Sequence, residues 1–240
     1  MQKRYIITII SLLVLFAFEL AAQSDSISNA VRYTNEFKFR EGFYLNFDQV
    51  KSNKPVPKSR LLTSIDYNSK TFFDQVTESQ TLTYFDDLGN SQEVETSKLW
   101  GYCKNGILYI NIGGSFSRIT ITGNICHFVA NITTYTNRYN SPYGYNPYGY
   151  SSYGYSPYGY GYSPYSYGSP SYRTTELKQF LLDFNTGKVL EYDSKNVEML
   201  LMNDPELHDE YSGLRSKKKQ QLRFMYIRKY NERNPLYIPK

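Results

Sequence analysis

Apolar and polar residues alternate in short runs along the middle of the chain, and a turn-forming pair or cluster follows each run. Alternation with a period of two is typical of β-strands, and Asn-Gly or Gly-Gly between two such runs is typical of hairpins. An Asp-Asp-Leu-Gly-Asn turn separates the first two predicted strands, Thr81–Phe85 and Glu93–Thr96. Four further runs predict an antiparallel meander: Leu99–Cys103, Ile107–Ile112, Phe116–Thr122 and Ile125–Thr134.

The pattern changes from strand to helix towards the end of the chain. A hairpin is predicted first, from Glu176–Phe184 and Lys188–Tyr192. Apolar residues then recur at helical spacing, and Asp204-Pro205 is a helix start, because Asp caps a first turn and Pro fits its first position. The predicted helices are Ser194–Met202, a segment that starts at Pro205, and Ser216–Tyr230. The fold class is therefore α+β: an antiparallel β-meander, open or curled into a partly closed barrel, followed by two or three C-terminal helices.

The segment before the meander has a less regular pattern. Residues 23–41 are polar and show no clear period, which predicts a loose N-terminal lead. Gly42–Phe47 is aromatic and β-prone. Phe47–Ser52 can form one helical turn before Pro55 ends it.

The first 22 residues have the three regions of a secretory signal peptide. Lys3 and Arg4 precede the apolar run Tyr5–Phe18, and small residues at Ala21 and Ala22 offer a cleavage site. The apolar run is shorter than the roughly 20 residues that a membrane span needs, so we expect cleavage near Ala22 and no transmembrane span afterwards. The mature chain is then exported to the periplasm or the cell exterior.

Residues 139–172 form a tyrosine-rich array, in which short repeats combine Tyr with Pro, Gly, Ser and Asn. Because Pro recurs in it, neither a helix nor a ladder strand can continue through it, and we predict a disordered loop inserted into a single α+β domain of residues 23–240. Three interpretations stay open: a repeat expansion without a selected role, contact with a glycan or partner through the rings, and self-association. The candidate contact loop comprises Tyr143, Tyr145, Tyr148, Tyr150, Tyr153, Tyr155, Tyr158 and Tyr160.

The charge of the chain is unevenly distributed. The full chain carries +5, and the leader holds Lys3, Arg4 and Glu19, or +1, which leaves +4. From Leu214 onwards nine Lys or Arg residues oppose Glu232 alone. These cations either contact anionic lipid or polysaccharide or form the solvated face of an ordinary helix, balanced by acidic residues on the preceding one. Nucleic acid is not expected as a partner of an exported chain.

Residues for catalysis or metal binding are sparse. The chain has two histidines, and neither His127 nor His208 belongs to a metal-binding or catalytic motif. In its predicted strand the face opposite His127 is the more apolar of the two, so we expect His127 at the solvent or at the rim of the sheet. Cys103 and Cys126 form either a disulfide, if the sheet curls closed, or two buried thiols. No catalytic, cofactor-binding or metal-binding residue is predicted, and no cofactor is expected.

Four segments without a catalytic pattern are similar to segments of a known group of proteins: Glu41–Val50, Leu99–Asn111, Leu182–Tyr192 and Ile227–Pro239. With these segments the chain resembles a family of uncharacterised exported proteins from Bacteroidota-type bacteria. The resemblance implies a setting in the bacterial envelope and implies no activity.

These observations predict an exported, non-enzymatic binding or structural module of the envelope, with a polysaccharide or another envelope protein as its partner. A hydrolase-type enzyme is an alternative, and it would show as a pocket that brings His127 or Cys126 together with carboxylates. Surface adhesion or self-association through the tyrosine array is a further alternative.

Overall fold

The computed structural model describes residues 30–136 and 172–240. The predicted leader and nearly all of the tyrosine-rich array lie outside these residues. The strands are β1 (Ala30–Arg32), β2 (Gly42–Tyr44), β3 (Leu61–Leu62), β4 (Thr81–Phe85), β5 (Ser91–Glu95), β6 (Gly101–Lys104), β7 (Ile107–Ile112), β8 (Ser115–Ile121), β9 (Ile125–Thr136), β10 (Tyr172–Asp183), β11 (Val189–Glu191) and β12 (Tyr237–Pro239). The helices are α1 (Phe47–Lys51), α2 (Phe72–Glu78), α3 (Ser194–Leu201), α4 (Pro205–Ser212) and α5 (Ser216–Arg233).

A seven-stranded sheet forms the centre of the fold, in the order β11-β10-β9-β8-β7-β6-β2. The predicted meander is confirmed, because β6, β7, β8 and β9 pair antiparallel in succession. The left-handed conformation of Asn105 and Gly106, with φ of 54° and 78°, makes the tight turn between β6 and β7. Strands β2 and β11 are the two edges, so the sheet is open and does not close into the partial barrel that was the alternative.

A smaller sheet in the order β3-β4-β5 packs with α2 against one part of the large sheet. The first core lies between them, and its buried members are Phe43, Val56, Leu61, Phe72, Phe73, Val76, Leu82, Leu99 and Tyr102. Aromatic rings stack through it: Phe73 lies 5.0 Å from Tyr102, and Tyr102 lies 4.7 Å from Tyr109, measured between ring centroids. Helix α2 was not predicted from the sequence.

The three C-terminal helices build a second core over β9 and β10. Ile125 and Leu181 face this core, together with Val197, Leu201 and Tyr211 of the helices. The predicted helix starts are confirmed: the Asp193 side chain caps α3, and the Asp204 side chain accepts a hydrogen bond from Leu207 N at the start of α4.

The predicted loose lead is wrong for its described part, residues 30–41. Strand β1 pairs antiparallel with β12, with Val31 opposite Ile238. Phe39 is buried and packs 6.5 Å from the ring of Phe184. The pairing joins residues about 200 positions apart, and such a contact leaves no local period in the sequence.

The outer ends of β9 and β10, residues 131–136 and 172–177, group into a unit of their own. Within that unit the hydroxyl oxygens of Thr133 and Thr175 lie 3.1 Å apart.

Candidate functional site

A cleft of about 480 Å³ opens between the segments on either side of β2 and the end of β4. This volume is within the range of small-ligand sites. Its polar lining consists of Arg40, Glu41, Gln49, Lys54, Arg60, Asp86 and Asp87, and its apolar lining of Leu45, Pro55, Val56, Pro57, Tyr84 and Phe85. All these residues belong to the first compact unit, whose described residues are 30–130 and 178–240.

Backbone hydrogen bonds hold one wall of the cleft in place. Phe43 N donates to Val56 O at 2.9 Å, and Val56 N donates to Phe43 O at 2.8 Å. The approach is so close that a Cβ on Gly42 would lie 2.3 Å from the Val56 carbonyl oxygen, so only glycine fits there. The buried Asn53 completes the wall, because its Oδ1 accepts from Arg40 N at 2.9 Å and its Nδ2 donates to Pro239 O at 3.2 Å.

Each carboxylate of the cleft already has partners. Glu41 pairs with Lys58 at 2.7 Å. Partial burial opposes ionisation of Glu41, but hydrogen bonds from Lys58 and from Asn105 N outweigh it and hold the pKa of Glu41 below its ordinary value. Asp87 forms an ion pair with Arg60.

Asp86 is the third carboxylate, and the turn after β4 folds around it. It accepts hydrogen bonds from Asn90 N at 2.8 Å and from Leu88 N at 2.9 Å. The hydrogen bonds from Asn90, with others from Gln92 and Leu88, lower the pKa of Asp86. Asp86 therefore stabilises the turn and stays ionised.

Arg40 and Lys54 are the remaining cations of the cleft. Among the residues that the structure describes, neither Arg40 nor Lys54 forms an ion pair with a carboxylate side chain, although Arg40 Nη2 donates to the main-chain oxygen of Lys240 at 2.9 Å. Both side chains are exposed. They lie in the same cleft as the rings of Tyr84 and Phe85, so exposed cations and aromatic surface line one cavity.

His127 lies away from the cleft and is buried, with 5% of its surface exposed. Its Nδ1 lies 3.1 Å from Thr120 Oγ1, and its Nε2 lies 3.1 Å from Gln179 Oε1. Burial lowers the pKa of His127, which favours the neutral ring. The expectation that His127 faces solvent is wrong, because the rings of Phe224 and Tyr192 cover it at 4.7 Å and 5.1 Å.

The two cysteines are free and buried. Cys103 Sγ donates to Phe39 O at 3.4 Å, and Cys126 Sγ donates to Gly123 O at 3.2 Å. Burial raises the pKa of each thiol to about 12, so both are protonated at neutral pH. A protonated, enclosed thiol is a poor nucleophile.

The remaining candidates are dispersed. His208 Nδ1 lies 3.3 Å from Asp209 Oδ1. In residues 30–136 and 172–240 no group of three or more His, Cys, Asp or Glu residues is arranged to hold a metal ion. No helix in the same residues is long and apolar enough to span a membrane. The eight tyrosines of the candidate contact loop lie outside the described part of the chain.

A family model matches residues 42–234, which include both cores and most of the cleft, and its description is a family of unknown function. The chain belongs to this family, DUF6563. No curated protein and no solved structure matches the chain. Of the cleft residues only Arg40 and Glu41 precede the segment that matches DUF6563.

The segments that carried the resemblance have structural tasks in this DUF6563 chain. Asn111 Nδ2 donates to Ser97 O at 2.9 Å and to Leu99 O at 3.0 Å, which fixes the entry into β6. Asn231 of α5 bonds to both backbone polar groups of Ile125. These polar residues hold the backbone in place, which explains why the four segments did not indicate a reaction.

Sequence reasoning did not single out the cleft. Arg40 and Lys54 are ordinary surface cations in the sequence, and Tyr84 lies in a predicted strand. The usable signal is the Lys54-Pro55-Val56-Pro57 segment, because alternate prolines hold a backbone extended and keep it out of a helix.

Proposed function

We propose that the chain is an exported, non-enzymatic binding module of the bacterial envelope, and that its cleft holds an acidic saccharide. Export rests on the leader-like first 22 residues, and the envelope setting rests on the resemblance described above. The proposed class of ligand rests on the charge state of the cleft. Its carboxylate side chains are engaged within the protein, whereas among the described residues no carboxylate side chain pairs with Arg40 or Lys54, and Arg40 contacts the main-chain oxygen of Lys240.

The chemistry of the cleft suits a chain of acidic sugars. The guanidinium of Arg40 donates hydrogen bonds that suit a carboxylate or sulfate, and Lys54 adds a second positive charge. Tyr84 and Phe85 offer flat apolar surface of the kind that packs against a sugar ring. The wall is held by the Phe43–Val56 backbone bonds, so little ordering entropy is lost on binding.

The hydrolase alternative required His127 or Cys126 beside carboxylates in a pocket. His127 contacts Thr120 and Gln179 under two aromatic rings, and the Cys126 thiol bonds to a main-chain oxygen. These contacts account for both residues as parts of the core, so they support a binding module in preference to hydrolysis.

Binding is tested with the chain lacking residues 1–22 and with polygalacturonate, alginate and heparin as acidic probes. Neutral dextran is the reference. Titration calorimetry should show that at least one acidic polymer binds and that dextran does not. The double variant Arg40→Gln/Lys54→Gln should bind about tenfold more weakly, which corresponds to about 1.4 kcal/mol.

A matched control removes the same charge elsewhere. Lys70 and Arg118 are exposed and have no ion-pair partner among the described side chains, so Lys70→Gln/Arg118→Gln loses one lysine and one arginine outside the cleft. This control should bind like the parent. Equal weakening in both double variants, or failure of every acidic polymer to bind, would contradict the proposed ligand class.

A further inference from the structure

The outer face of α5 combines positive charge with exposed apolar side chains. Phe224 is 37% exposed and Met225 is 46% exposed, although both lie in a helix whose other side enters the second core. Helical spacing brings these two residues onto one stripe with charged neighbours. The stripe, called here the α5 stripe, consists of Lys217, Lys218, Phe224, Met225, Arg228 and Glu232.

The cations of α5 divide into two groups. The first group is neutralised by neighbouring elements: Lys219 pairs with Glu198 at 2.7 Å, Lys229 with Glu210 at 2.5 Å, and Arg233 with Glu206 at 2.6 Å. Arg223 stacks over the ring of Tyr192 at 4.2 Å. These contacts are those of an ordinary charged helix face.

The second group lies on the α5 stripe. Within residues 30–136 and 172–240, Lys217, Lys218 and Arg228 form no ion pair, and all three are exposed. With Glu232 at its end, the stripe carries three positive charges and one negative charge. Residues 217 to 228 span eleven steps of 1.5 Å, or about 17 Å, with cations at both ends and the apolar pair between them.

We propose that the α5 stripe docks the protein onto a membrane surface that contains anionic phospholipid. The apolar pair lies between cations on one exposed face of the helix, and this arrangement suits an interface in which anionic headgroups border an apolar layer. Phosphate groups would contact the lysines and Arg228, while Phe224 and Met225 enter the boundary between headgroups and acyl chains. The inference does not depend on what the cleft binds.

Only two apolar side chains take part, so the docking is reversible and depends on charge. Added salt weakens it, because the cations lie at the surface and are screened. A loss of three positive charges is expected to weaken binding about tenfold or more.

The test is co-sedimentation of the chain lacking residues 1–22 with two kinds of vesicle. One contains equal parts of phosphatidylglycerol and phosphatidylcholine, and the other contains phosphatidylcholine alone. We expect binding to the first and about tenfold less to the second. Lys217→Gln/Lys218→Gln/Arg228→Gln should abolish the difference, and Met225→Ser should weaken binding with the charge unchanged.

The control triple variant Lys70→Gln/Arg118→Gln/Lys188→Gln also removes two lysines and one arginine and should bind anionic vesicles like the parent. Unchanged circular dichroism and thermal unfolding establish that the stripe variants are folded. Equal loss in both triple variants, or no preference for phosphatidylglycerol, would overturn the proposal. A stripe-dependent change in oligomeric state without lipid would also overturn it, because the occupant would then be a second copy of the chain.

Discussion

Asn231 joins the last helix to the central sheet through two hydrogen bonds. Its Oδ1 accepts from Ile125 N at 2.9 Å, and its Nδ2 donates to Ile125 O at 2.8 Å. The side-chain amide thus takes the place of a neighbouring strand at the start of β9. Asn231→Ala removes both partners from the backbone of a residue that is only 2% exposed.

The cost follows from the two unsatisfied groups. A buried donor or acceptor left without a partner costs about 1–3 kcal/mol. Asn231 itself is half-buried, so water can reach part of the space, and we expect the free energy of unfolding to fall by about 2–4 kcal/mol. For a chain of this size, that loss lowers the melting temperature by roughly 5–15 °C.

A second substitution tests the same contact from the other side. A Cβ on Gly123 would lie 2.4 Å from Cγ of Asn231, so Gly123→Ala must displace the amide. In the Asn231→Ala background this collision is absent. The double variant should therefore be more stable than the sum of the two single losses implies.

Denaturant unfolding measures these losses, with the fluorescence of Trp100 as the probe, since it is the sole tryptophan. The neighbouring exposed residue supplies the control: Glu232→Ala should change the stability by less than about 0.5 kcal/mol. A loss below about 0.5 kcal/mol for Asn231→Ala, or strictly additive losses in the double variant, would refute the proposed role of the amide.

Four further predictions concern the rest of the chain. Replacing residues 141–170 by a short Gly-Ser turn should change the stability by less than about 1–2 kcal/mol, because loop closure depends weakly on length; unfolding of that deletion would place the tyrosines in the core. Burial lowers the pKa of His127 in the folded chain, so the unfolded chain takes up the proton first as the pH falls. The contribution of His127 to the free energy of unfolding should therefore be complete above the ordinary pKa of 6.5 and should decline below it. Denaturation curves of His127→Gln should lack this part of the pH dependence. Cys103 and Cys126 should resist a maleimide in the native state and react in denaturant without reductant, whereas labelling that needs a reductant would show a disulfide. N-terminal sequencing of envelope protein should find a start near Ala22, and a start at Met1 in the membrane fraction would contradict export by cleavage.

Local signals in the sequence predicted much of the fold. The Asn105-Gly106 turn fixes the β6–β7 hairpin because both residues adopt positive φ, and β7 has the predicted bounds Ile107–Ile112. The Asp204-Pro205 start of α4 is equally local, since its cap and first turn lie within four residues. These elements depend on neighbours in the sequence, which a single sequence displays.

Elements that depend on distant partners were missed. Strand β1 is three residues long and exists because β12 lies beside it. His127 is likewise buried because Phe224 of α5 covers its side of β9. The alternation of residues within the strand alone had predicted that this side faces solvent. The cleft could not be predicted for the same reason, because Lys54 and Tyr84 become neighbours of one cavity only after two sheets have packed.

The proposed function can be tested most directly by nuclear magnetic resonance titration of the labelled chain with short polygalacturonate fragments. The account predicts that the largest amide shifts fall in the two walls of the cleft, around Arg40, Lys54 and Tyr84, and that they disappear in Arg40→Gln/Lys54→Gln. Shifts confined to the outer face of α5 or to the tyrosine-rich array, with the cleft unchanged, would contradict it.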